Sequence, residues 1–173
     1  MVDGSGPAGS TFDRAVELVL DLEGPPSNDP DDPGGETVFG LARRFHGEIP
    51  WPPTRDQAIA IYRHSYWAPV HGDELPPPLA LAVFDAAVIP GPGWAAGALQ
   101  DVLRVARDGV IGVETVAAAR RSGWLTVLNF TAARITEFAR QVRTQPFKTK
   151  FAAGWLVRCL KVYRQAVKLE SAA

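Results

Sequence analysis

The chain has 173 residues, 46% of them hydrophobic, with 18 Lys and Arg against 19 Asp and Glu for a net charge of −1. That suffices for one ordinary core with room for a small appended lobe, and no window approaches the roughly 18 consecutive apolar residues of a membrane-spanning helix. A single cysteine, Cys159, excludes an internal disulfide framework, and with only 3 His it gives no support to a structural metal site.

Residues 1–10, MVDGSGPAGS, lack the basic and apolar regions of a secretory signal. The chain therefore reads as synthesised in the cytoplasm without a signal peptide, beginning with a flexible segment and with Thr11 as the N-cap of the first helix. Phe12, Val16, Val19 and Leu20 then recur at helical spacing, so residues 12–23 form an amphipathic helix with Glu23 on its apolar face. Burial and the negative end of the helix dipole both push a carboxyl there up, toward the range of a general acid. From Pro25 to Pro33 the proline and aspartate density forbids a helix. Asn28, Asp29, Asp31 and Asp32 are turn formers, a calcium cradle or cleft carboxylates, although a calcium loop lacks its closing glutamate here. Asp32 lies nine residues after Glu23 and Thr37 five further on. A turn at Gly34-Gly35 folds a short strand, Thr37 to Leu41, back toward the helix end, which allows two carboxylates and a hydroxyl to meet.

His46 to Pro53 is a connector, and Thr54 with Gln57 makes a capping box that opens a helix to about Tyr66. Ala58, Ile61, Tyr62 and Ser65 share its inner face, while Tyr66 and Trp67 read either as core or as platforms for sugar rings. His64 and His71 have no metal-ligand spacing. After a stiff Leu75-Pro76-Pro77-Pro78 entry, Leu79 to Val88 is an apolar helix in which Asp85 must find partners, as a buried brace for a loop or as a residue lining a cleft. Gly91 to Gly93 breaks the chain, and helices follow to about Arg107, from Glu114 to Arg121, from Trp124 to Arg143 and from Phe147 toward Leu169. Residues 1–100 hold 5 basic against 14 acidic side chains and residues 101–173 hold 13 against 5. This asymmetry fits either a face for an anionic polymer, formed by Arg140, Arg143, Lys148, Lys150, Lys161, Arg164 and Lys168, or two lobes that attract each other. The basic residues are spread without a basic-aromatic motif, which argues against nucleic acid.

Glu23-Gly24, the run DPDDPGGETVFG, YRHSYW at 62–67, VFDAAV at 83–88, LQ at 99–100 and DGVIGVET at 108–115 occur in one order along nearly the whole chain. Together they resemble glycoside hydrolase family 108, whose members are similar to lysozymes: N-acetylmuramidases of phage endolysins and secretion activators, with a small peptidoglycan-binding subdomain. The resemblance implies that Glu23 is the catalytic acid. This chain departs from the pattern at Pro25, where a second glycine is usual, at Val38-Phe39, where asparagine-tyrosine is usual, and at Ile89-Pro90-Gly91.

The resulting expectation is a mainly α, lysozyme-like two-lobed helical domain with a short β-hairpin or loop near the active site. A flexible segment 1–10 would precede a catalytic lobe at 11–92 and a peptidoglycan-binding lobe at 93–173. The expected reaction is hydrolysis of the β-1,4 bond between N-acetylmuramic acid and N-acetylglucosamine (EC 3.2.1.17). Glu23 protonates the leaving oxygen, Asp32 orients water or stabilises the oxocarbenium-like transition state, and Thr37 holds that water. Phe39, Tyr66, Trp67 and Asp85 are the expected substrate contacts, and no cofactor or metal is required. The partner is peptidoglycan, reached after release or export through a holin, a phage-like particle or a secretion system. The rival readings are a non-catalytic wall-binding or virion structural protein and a lytic transglycosylase.

Overall fold

Ser10, not Thr11, caps the first helix in the computed structural model, which describes residues 9–28 and 35–170. The Asp13 backbone N–H donates to the Ser10 hydroxyl and the Ser10 N–H donates to the Asp13 carboxylate, a reciprocal box that Thr11 could not close with Arg14 at the third position. Helix α1 (Thr11–Glu23) buries Phe12, Ala15, Val16 and Val19 along one stripe and ends at Gly24, where φ is +74°. Three short antiparallel strands follow, β1 (Ser27–Asn28), β2 (Glu36–Val38) and β3 (Leu41–Ala42), in the order β1-β2-β3. Ser27 faces Thr37, Thr37 faces Ala42 and Val38 faces Leu41.

The single strand expected from Thr37 to Leu41 is therefore a hairpin. Phe39 and Gly40 turn the chain, both with positive φ (+54° and +75°), which is the backbone that matches the twist of two joined strands in a two-residue loop. Helix α2 (Arg55–Tyr62) starts at the Thr54–Gln57 capping box and runs into a π-helical turn, Arg63–Trp67, and a 3₁₀ turn, Ala68–Val70.

The chain divides into two compact units, one up to Ser65 and one from Tyr66. In the second, α3 (Pro77–Val88) is buried on nearly every side and packs against α4 (Pro92–Leu103), α6 (Leu125–Thr144) and α7 (Thr149–Glu170). Its all-round apolar surface makes it the centre of the second unit's helices, as an unstriped helix requires. α5 (Val113–Arg121) is joined to α4 by a turn that hangs on buried Gln100. The Gln100 amide donates to Asp108 Oδ1 (2.6 Å) and Val110 O (2.9 Å), while Gly109 N–H donates to Gln100 Oε1 (2.9 Å). The Val110 N–H and the Gln100 amide hold the Asp108 carboxyl below the usual carboxylate range. The LQ and DGVIGVET motifs thus meet as one braced turn. No helix among the described residues is long and apolar enough to cross a membrane.

Candidate active site

Glu23 is the last residue of α1, half-buried beside the apolar stripe. What fixes its surroundings is the hairpin turn. A Cβ built on Gly40 would lie 2.6 Å from Glu23 Oε2 and 2.5 Å from Cδ, closer than real atoms approach. The carboxyl of Glu23 therefore rests directly on the turn's backbone, and Gly40 is required twice over, for its left-handed φ and for the space. Phe39 has no such dispensation: a bulky residue at φ +54° is strained. Tyr62, 0% exposed at the end of α2, donates its hydroxyl to Phe39 O at 2.9 Å and so holds the turn in place. Flanking the turn, Val38 and Leu41 are buried and anchor both strands.

The other expected site residues divide sharply. Thr37 sits in the central strand, half-buried, and its hydroxyl donates to Gly35 O at 3.2 Å. Asp32, with Asp29 and Asp31, lies outside the described residues. Phe39 is half-buried in the turn against Glu23, and Tyr66 is half-buried in the second unit. Trp67 does not offer a stacking face. It is 1% exposed, meets Phe84 edge-on at 5.3 Å, and leaves so little room that a Cβ on Gly72 would fall 2.7 Å from its Cζ2.

Asp85 is likewise no substrate contact. It is 0% exposed; Arg134 Nη1 pairs with its Oδ2, and Arg158 Nε donates to Oδ1 at 2.9 Å. Burial pushes the Asp85 carboxyl up, but the two guanidinia outweigh it and hold it below the usual range. Arg134 Nε also donates to Ile89 O at 3.0 Å, so the cluster braces the loop that follows α3. Of the two readings the residue allowed, the buried brace is the one the geometry has.

One carboxylate that spacing did not single out, Glu36, stands on β2. The Trp51 indole and the Arg43 guanidinium, at 3.1 Å, hold its carboxyl below the usual range. Among the described residues no group of three or more His, Cys, Asp and Glu is placed to hold a metal ion.

The family model for glycosyl hydrolase 108 matches residues 16–91, a span that includes Glu23, the sheet, Tyr62 and α3. A solved structure, SagA of Brucella abortus, is 31% identical, with a TM-score of 0.80 over 92% of this chain and 95% of that one. The chain belongs to glycosyl hydrolase family 108. Its mainly helical, lysozyme-like fold with a small sheet is the one that membership implies. No curated protein matches the sequence.

For a family 108 glycosidase, the residues that spacing alone overlooked are Gly40 and the hydroxyl of Tyr62. A signal for the first was present in ETVFGLA, where a glycine divides two β-prone runs as hairpin turns do. None pointed to the second: Tyr62 falls on the inner face of a helix, and its partner is a backbone carbonyl 23 residues away.

Proposed function

We propose that this chain hydrolyses the β-1,4 bond between N-acetylmuramic acid and N-acetylglucosamine of peptidoglycan, with Glu23 as general acid. The observation that carries the reading is the seating of the Glu23 carboxyl on the Phe39–Gly40 turn, itself held by Tyr62. A proton donor must be positioned before the bond breaks, and a carboxyl pressed against tied backbone loses little entropy in reaching its substrate.

In this reading Glu23 gives its proton to the glycosidic oxygen as the bond to the anomeric carbon breaks and the electron pair leaves with that oxygen. Water adds to the oxocarbenium-like carbon. Asp32 orients that water or stabilises the developing positive charge, Thr37 holds the water, and Phe39 serves as a contact for the sugar. The protein reaches its polymer after release or export, by a holin, a phage-like particle or a secretion system.

The deciding experiment is a turbidity assay on purified peptidoglycan with mass analysis of the fragments. Reducing N-acetylmuramic acid ends, lost in Glu23→Gln, are the expected result. Reducing N-acetylglucosamine ends would move the cleaved bond, 1,6-anhydro ends would make the enzyme a transglycosylase, and undiminished lysis by folded Glu23→Gln would remove Glu23 from the chemistry.

A further inference from the structure

The second unit contains an open groove of about 600 Å³ between α4 and α6, within the size range of ligand pockets. Its rim carries Arg107, Arg140 and Arg143, and Trp94, Ala98 and Ala133 supply apolar wall. Arg107 is set there by the helix itself. A Cβ on Gly97 would lie 2.9 Å from Arg107 Nε and 3.1 Å from Nη2, so the guanidinium occupies the space this glycine leaves on α4. Its Nη1 donates to Asp101 Oδ2 at 2.6 Å.

Charge decides the ligand. Asp101 is neutralised by Arg107, and Glu137 takes two hydrogen bonds from Arg140, Nη2 to Oε1 at 2.7 Å and Nε to Oε2 at 2.8 Å. The Arg143 side chain makes no ion pair or hydrogen bond among the described residues. The groove therefore carries one cation beyond its pairs, which suits a monoanion better than a doubly charged phosphate. A guanidinium fork matches the planar oxygens of a carboxylate. The indole of Trp94 and the alanine methyls leave space for a small uncharged body beside that carboxylate.

The geometry points to a binding site in this groove for a short peptide of small residues that ends in a free α-carboxylate. None of the residues lining the groove takes part in the Glu23 chemistry, and the proposal does not depend on it.

The test is a calorimetric titration of the full chain with N-acetyl-Ala-Ala-Ala and with its C-terminal amide. The acid should bind roughly tenfold or more tighter than the amide, the worth of one charge-assisted contact. Arg143→Gln should abolish the preference without changing the melting temperature, since Arg143 is exposed at the end of α6. Gly97→Ala gives a second probe: it favours the helix by propensity while its methyl displaces Arg107, so the acid should bind several-fold more weakly in a protein that is no less folded. Equal binding of acid and amide, displacement of the peptide by inorganic phosphate at equal concentration, or an unchanged preference in folded Arg143→Gln would each overturn the site. The same titration on Glu23→Gln should show unaltered binding, so its outcome is read independently of lysis.

Discussion

Two carboxylates near helix ends, Glu23 and Asp85, are treated in opposite ways. Asp85 is sealed, with guanidinia on both oxygens and no exposed surface. Glu23 is half-buried, and the feature that locates it is glycine backbone in a turn tied down by a buried tyrosine. The first arrangement spends its carboxylate on holding helices together, because a buried charge must be fully compensated to persist. The second leaves its residue half-buried and sets the carboxyl against a turn that restricts where it can move. Burial and partners, more than the residue type or its helical position, separate a brace from a candidate acid.

The largest effect expected from breaking this contrast is at Glu23. Glu23→Gln is nearly isosteric but has no proton to give, so lysis of purified peptidoglycan should fall by roughly 10²- to 10⁴-fold while the melting curve is unchanged. At Asp85 the expected loss is of stability. Asp85→Ala leaves two buried guanidinia without their anion and should cost about 3–5 kcal/mol in urea unfolding.

The pH dependence at Asp85 has a definite sign. A folded-state carboxyl held below its unfolded value contributes stability above the unfolded pKa, near 4, and that contribution is lost as pH falls through the lower folded value. Urea midpoints measured from pH 7 down to pH 2 should therefore decline through the acid range. If the decline at Asp85 is real, Asp85→Asn should flatten it; an identical slope in that variant would assign the acid sensitivity to other groups.

Gly40→Ala sharpens the other half of the contrast. The added methyl meets Glu23 and the left-handed φ strains it, for a cost of about 1–3 kcal/mol, with a fall in turnover larger than the change in wall binding. The smallest effect is expected of Tyr62→Phe, which removes one hydrogen bond to Phe39 O while keeping the ring, for about 1 kcal/mol of stability. Turnover should fall several-fold with apparent affinity unchanged if the turn positions Glu23. Unaltered turnover in a destabilised protein would confine Tyr62 to the core.

Local chemistry was legible in the sequence wherever one element decides its own structure. The Thr54–Gln57 box, the amphipathic stripe that ends at Glu23, and the apolar run of α3 on either side of Asp85 all follow from residues within a few positions of one another. The first cap was off by one residue because Ser10 and Thr11 are both good caps, and only the reciprocal bond to Asp13 chooses between them. Tertiary structure decided the rest. Arg134 and Arg158 stand 49 and 73 residues from Asp85, and nothing local tells an aspartate on an apolar helix which distant cations will compensate it. Trp67 became core through Phe84 and the glycine at 72, and Arg107 reached its groove through the gap at Gly97. Pattern within an element reports which face is apolar; which polar group is then closed off and which stays accessible depends on what packs against that face, and that information is spread along the chain.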